Sequence, residues 1–251
     1  MTYAICIVPV APIRLRGDHR EEMVSQVLFG ESLLVRDFDK DGWMHIEACA
    51  DGYTGFCRAN QFVITEDATT DLKHYSAEWV QEIFVNKQRL MIPYGSNLSL
   101  LKDALPGYTL TYNGSIHNAA EHRISADSLQ QISSVFLNTA YLWGGRSVFG
   151  IDCSGFVQAV FKMFNIRLER DANQQVNAGE AVGFLQEVQC GDLAFFDDEN
   201  GDIIHVGIML NSQQIIHSSG IVRIDAIDSE GIINGTTKKR SHRLRIIKRI
   251  I

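Results

Sequence analysis

Tyr141-Leu-Trp-Gly-Gly-Arg-Ser-Val-Phe-Gly-Ile-Asp-Cys-Ser-Gly-Phe156 is where the chain changes character. Three glycines, Gly144, Gly145 and Gly150, lead into Asp152-Cys153-Ser154-Gly155. Phe156, Val157, Val160, Phe161 and Phe164 then recur at helical spacing, so Cys153 is expected where a loop becomes the first turn of a helix. Free backbone N–H groups and the positive end of the helix dipole gather at such a start. That setting is expected to lower the thiol pKa and favour the nucleophilic thiolate.

A thiol nucleophile needs a base, and the base needs an orienting partner. Downstream, His205 lies in Ile203-Ile-His-Val-Gly-Ile-Met209 and His217 in Ile215-Ile-His-Ser-Ser219. Both stretches read as strands. Asn211-Ser212 between them reads as a hairpin turn, which would set the two imidazoles directly opposite, about 5 Å apart at Cβ. Cys153 is assigned as nucleophile, His205 as general base and His217 as its orienter. His242, between arginines, is expected to face solvent. A zinc site from Cys153, His205 and His217 has no fourth ligand and no Cys-x-x-Cys partner, so no metal or cofactor is expected.

Upstream of this core, residues 1–65 read as a small β-barrel. Ile5–Val10 and Val27–Phe38 alternate with turns, Asp41-Gly42 and Asp51-Gly52 mark hairpins, and Trp43–Glu47 has period two. Arg20–Val24 is expected as a helical break. Residues 66–125 read as a second small β unit, with a polar linker at 67–71 and strands at Leu90–Gly95, Leu98–Leu101 and Tyr108–Tyr112; Ala77–Val85 fits helix or strand. From residue 126 to 251 helices come first, beginning with Leu129, Ile132 and Val135 behind a Ser125 or Asp127 cap, and an antiparallel meander follows. That order is α+β.

Composition narrows the function. In 251 residues the formal net charge is −7, and hydrophobic residues make up 45%, enough for a real core. Nothing resembles a nucleic-acid surface, and the longest basic run is Lys238-Lys-Arg240. No apolar run approaches the roughly 20 residues that span a bilayer. Five cysteines, Cys6, Cys49, Cys57, Cys153 and Cys190, form no metal-like spacing and no even disulfide set. The first residues carry no secretory signal, so a cytoplasmic location is expected.

Six of these segments also carry a resemblance: Tyr141-Leu-Trp-Gly-Gly145, Gly150-Ile-Asp-Cys-Ser-Gly-Phe156, Arg170-Asp-Ala172, Gly191-Asp-Leu-Ala-Phe-Phe196, His205-Val-Gly-Ile208 and Ile216-His-Ser218. In this order they resemble the NlpC-type bacterial cell-wall cysteine peptidases, across about residues 126–225. Departures are few. Glu169 and Cys190 stand where that family often has proline, as does Ala140 before Tyr141, and Ala172 stands where some members have serine. Pro9–Arg14, Glu21–Glu31 and Gly52–Phe56 resemble the bacterial SH3-like barrels fused to one branch. The resemblance implies a papain-like catalytic domain preceded by one or two SH3-like barrels. It also implies cleavage of the γ-D-glutamyl to diamino-acid bond in short murein peptides with a free N-terminal L-alanine.

Carried over by position, Tyr53 and Glu22 would line the wall that meets that alanine. Asp152 would lie beside the nucleophile, Tyr141 at the cleft, and Ser154 would help hold the peptide. Each of three has a plainer reading: Tyr53 as a barrel-core aromatic, Glu22 as a solvated helix charge, Asp152 as a helix cap. Two rival functions remain, a thiol amidase or acyltransferase and a wall-binding module with a degenerate third domain. Beyond the peptide substrate no nucleic-acid or membrane partner is expected.

Overall fold

The computed structural model describes residues 1–68, 72–101, 105 and 107–250. The polar linker read at 67–71 lies partly outside them. Seven strands come first: β1 (Tyr3–Cys6), β2 (Val10–Arg14), β3 (Met23–Leu28), β4 (Ser32–Phe38), β5 (Trp43–Ala48), β6 (Thr54–Arg58) and β7 (Phe62–Thr65). They form one antiparallel sheet in the order β3-β2-β6-β5-β4-β1-β7, wrapped round Ala4, Ile13, Val27, Leu33, Met44 and Ile46. Arg20–Val24 is not helical. Asp18 Oδ1 accepts from the Arg20 N–H to make a turn, and from Met23 the chain is already paired with β2.

Next come β8 (His74–Ser76), β9 (Val80–Val85), β10 (Gln88–Pro93), β11 (Leu110–Tyr112) and β12 (Ile116–Asn118). They make a three-stranded sheet, β10-β9-β11, and the pair β12-β8. The strand expected at Leu98–Leu101 is instead a short 3-10 turn at Ser99–Leu101, because the Asn97 side chain captures the Ser99 N–H. These sheets share their apolar core with the first barrel: Ile83, Val85, Ile92 and Leu98 cluster with Ile5 and Phe29.

The last part carries α1 (Ala126–Ser134), β13 (Arg146–Ser147), β14 (Gly150–Ile151), α2 (Cys153–Lys162) and the short α3 (Ala172–Gln175). Ser125 caps α1, and Ser128 returns the bond to the Ser125 N–H, an arrangement worth about 1 kcal/mol. The α2 helix is buried along its length, with Phe156, Val157, Val160 and Phe161 at 0% exposure. Burying each such side chain contributes roughly 1.5–3 kcal/mol.

Beyond α3 lie β15 (Glu180–Val182), β16 (Leu193–Asp197), β17 (Ile203–Asn211), β18 (Gln214–Ser219), β19 (Ile221–Asp228), β20 (Gly231–Ile233) and β21 (Arg240–Arg249). Neighbours run β16-β17-β18-β19-β20 in chain order, as a meander should. The last strand changes the outcome, because β21 pairs with β16 and also with β20. Six strands therefore close on themselves. Phe196, Met209, Ile215, Ile227, Ile232 and Ile247 fill the inner face. Val206, Ile208, Ile216 and Val222 face α2 on the outside.

Candidate active site

Cys153 is the first residue of α2, and Asp152 is its cap. Asp152 is 4% exposed, and both of its carboxylate oxygens are engaged. Oδ1 accepts from the Gly155 N–H at 2.7 Å, the Arg170 guanidinium at 3.1 Å and the Ser154 hydroxyl at 3.3 Å. Oδ2 accepts from the Gly144 N–H at 2.9 Å and from Arg170 Nη2 at 2.5 Å. Arg170 is itself buried and reaches Ser25 Oγ of β3 at 3.0 Å. The capping role of Asp152 is thus seen directly. The Ser154 hydroxyl is spent on Asp152 and Arg170 (2.9 Å to Nη1), so it braces the helix start.

Gly144 is needed for a reason visible here. Its φ is +75°, and a Cβ would lie 2.4 Å from the Met23 carbonyl oxygen of the barrel. The loop that leads into Cys153 is seated on β3 at that point. Arg146 adds to the seat, donating its N–H to Gln26 Oε1 at 2.8 Å and a guanidinium N–H to the Gln26 carbonyl at 2.6 Å.

His205 and His217, expected as base and orienter, come from β17 and β18. Their register differs from the expected one. Ile208 faces Ile216, and a bulge lies between Met209 and Asn211. The turn therefore falls at Ser212-Gln213, and His205 and His217 are diagonal neighbours. They still meet, with His205 Nε2 2.9 Å from His217 Nδ1, because Gly207 stands between them on that face. A Cβ there would lie 2.8 Å from His217 Cβ. His217 Nε2 continues the chain to Asp225 Oδ2 of β19 at 3.1 Å. All three side chains are buried.

His242 is not a solvent-facing residue. Closure of the sheet places it opposite Ile232 and stacks its ring on His205, with centroids 4.1 Å apart and planes 24° apart. Burial, then His217 and Arg223, press its pKa down to about 4. Arg170, Asp225 and His242 are the site residues that the sequence reading did not assign. Arg170 already stood in a quoted motif. Asp225 and His242 had only strand alternation as a signal.

The thiol reverses the expected direction. Burial, then the Asp152 carboxylate, raise the Cys153 pKa to about 11, although the Val206 and Ser154 N–H groups donate to sulfur. Burial, then His242 and His217, push His205 well below its ordinary value. The resting thiol and the His205 imidazole are therefore both neutral. Below a raised pKa the thiol holds its proton, so the thiolate fraction grows about tenfold per pH unit up to that pKa. Iodoacetamide alkylation at Cys153, followed by peptide mass mapping, is expected to accelerate through pH 10 without a plateau near 7. Full reactivity reached by pH 7 would mean a thiolate–imidazolium pair instead.

The barrel forms one flank of the site. Glu22 is exposed at the start of β3 and accepts from Trp143 Nε1 at 2.5 Å. Tyr53 is half-buried, its hydroxyl donating to Asp171. It lines a cleft of about 300 Å³ with Leu15, Val24, Glu169 and Gln174. Tyr141 is 36% exposed, and burial, then the nearby Cys153 and Asp152, push its hydroxyl up to about 12. Asp152, Ser154 and Tyr141 thus surround the thiol, while Glu22 and Tyr53 belong to the flanking wall. No helix among the described residues is long and apolar enough to cross a membrane.

A cysteine at a helix start, packed against a strand of an antiparallel sheet that carries a histidine relay, is the layout of a papain-like thiol site. Comparison with known proteins agrees. The NlpC/P60 family pattern matches residues 138–241, and that of the bacterial dipeptidyl-peptidase Sh3 domain matches residues 13–62. A γ-D-glutamyl-L-lysine dipeptidyl-peptidase of Bacillus subtilis is 39% identical over 39% of this chain and 34% of its own. The chain thus aligns with about a third of that relative's length. A probable endopeptidase of Haemophilus influenzae is 37% identical over 45% of this chain and 68% of its own. The crystal structure of an NlpC/P60 family protein from Bacillus cereus shares the fold over 99% of both chains, with a TM-score of 0.79 at 20% identity. The chain belongs to the NlpC/P60 family.

Proposed function

We propose that the chain is a cysteine peptidase that hydrolyses the γ-D-glutamyl to diamino-acid bond of short murein peptides bearing a free N-terminal L-alanine. The observation that carries this reading is the thiol at the start of α2, which accepts from the Val206 N–H of β17, while His205, the preceding residue of that strand, is tied to a second histidine and through it to a carboxylate. The Cys153 thiol adds to the glutamyl side-chain carbonyl as His205 takes its proton. The Cys153 N–H, with no preceding carbonyl of the helix to bind, is placed to receive the oxyanion. His205 then protonates the departing amine, and a thioester remains. Water, deprotonated by His205, releases the acid and restores the thiol.

The flank of the barrel supports short substrates, because a wall at one side of the cleft leaves little room for chain beyond the alanine. An ammonium there needs an anion. Glu22 is exposed to supply one, and Tyr53 with its Asp171 partner lies on the same side, whereas Asp152 is already balanced by Arg170. Turnover of released peptide fragments fits this shape.

The test is mass spectrometry of L-Ala-γ-D-Glu-meso-diaminopimelate and its lysine analogue after incubation with the protein. Release of L-Ala-γ-D-Glu is expected. Acetylating the alanine amine is expected to lower kcat/KM roughly 10–100-fold, the worth of a charged hydrogen bond. Equal rates would remove the flank from amine recognition, and intact peptides with folded protein would reject the reading.

A further inference from the structure

We propose that Asp225 is a positioning residue that sets the ring tautomers of both His217 and His205, leaving His205 Nδ1 as the unprotonated nitrogen. This rests on the peptidase reading only for the use made of that nitrogen.

An ionised carboxylate accepts hydrogen bonds and donates none. Burial would raise the Asp225 pKa, but the His217 bond, the Gly235 N–H and Arg223 outweigh it and hold it at about 2. Asp225 is 4% exposed. So the proton in the 3.1 Å contact to His217 belongs to His217 Nε2. Arg223 Nε lies 2.8 Å from the same oxygen and supplies the counter-charge, so His217 has only to donate a neutral N–H.

A neutral imidazole with its proton on Nε2 presents a lone pair at Nδ1. His205 Nε2, 2.9 Å away, must then be the donor. One ring proton spent there leaves His205 Nδ1 bare. If His217 were protonated at Nδ1, the relay would run the other way. His205 Nε2 would accept, Nδ1 would carry the proton, and the base would be lost.

The surroundings hold Asp225 to this role. Its Oδ1 accepts from the Gly235 N–H at 2.9 Å. The charged and titratable groups facing it are Arg223 of its own strand, His217 of β18 and His242 of β21. Asp225 touches neither Cys153 nor any substrate position, so its effect passes through the two rings.

The test uses the full chain with 15N-labelled histidine. Ring-nitrogen shifts of the wild type are expected to show Nε2–H on both His205 and His217, with both Nδ1 atoms bare. Asp225→Leu removes the acceptor and leaves Arg223 donors facing His217. It is expected to move His217 toward Nδ1–H and to lower kcat roughly 10–100-fold with KM within about threefold. Asp225→Glu, which keeps an ionised acceptor, is expected to restore the wild-type shifts and most of kcat. A wild-type His217 protonated at Nδ1 overturns the inference, as do unchanged shifts or kcat within twofold in Asp225→Leu. Should Asp225→Leu not fold, the wild-type spectrum decides alone. Should no murein peptide be cleaved, the peptidase reading falls while the same spectrum still tests Asp225.

Discussion

Cys153→Ala is expected to lower kcat by at least about 10⁴-fold and leave the fold in place. Removing a nucleophile eliminates the covalent route, and the remaining groups cannot replace it, so the loss belongs among the largest that single substitutions produce. The structural cost is small. Cys153 Sγ accepts from the Val206 and Ser154 N–H groups, which would be left weakly paired at about 1–2 kcal/mol. In a chain of 251 residues that is a shift of a few degrees in melting temperature. Turnover of L-Ala-γ-D-Glu-meso-diaminopimelate by the purified variant, beside its melting curve, measures both. Residual activity within tenfold of wild type would remove Cys153 from the chemistry.

What was legible beforehand followed from local chemistry. Gly144, Gly145 and Gly150 before Asp152-Cys153 marked a loop entering a helix, and α2 begins at Cys153. Period-two patterning at Trp43–Glu47 and the apolar run at Ile203–Met209 marked strands, and both are strands. Short-range signals were less secure where a side chain competes with backbone pairing. Asn97 captures the Ser99 N–H and turns Leu98–Leu101 away from a sheet. A bulge after Met209 shifts the hairpin by one residue, and only the missing Gly207 side chain lets the displaced histidines meet.

The site residues that could not be read depend on how the strands pair. His242 sits between Ser241 and Arg243 in a basic run and has no local reason to be covered. It becomes part of the site because β21 reaches both β16 and β20. Asp225 likewise belongs to the relay through the pairing of β18 with β19, where His217 faces Arg223 and Ile215 faces Asp225. The thiol pKa failed for a related reason. The helix start favours thiolate, but the depth at which barrel, α2 and β17 enclose Cys153 was not available to sequence spacing, and desolvation wins.

Asp152→Ala carries the largest expected loss of stability. Its carboxylate is the cap of α2, the acceptor for the Gly144 N–H and the counter-ion of Arg170, which is 1% exposed. Losing a cap costs about 1 kcal/mol. Leaving a buried cation without its partner costs about 3–5 kcal/mol. At roughly 2–4 °C per kcal/mol for a chain of this size, the two losses together are expected to lower the melting temperature by about 8–24 °C. Arg170→Met should cost less, because Asp152 keeps the Gly144 and Gly155 N–H groups and the Ser154 hydroxyl. The double variant tests the physical account. With neither charge buried, Asp152→Ala/Arg170→Met should be more stable than the sum of the single losses by at least about 1 kcal/mol. Urea unfolding of the four proteins supplies the cycle, and strict additivity would mean that Arg170 does not depend on Asp152. Activity should follow a different order. Arg170→Met leaves the cap that aims Cys153, so it should retain more kcat than Asp152→Ala even where the two melt alike.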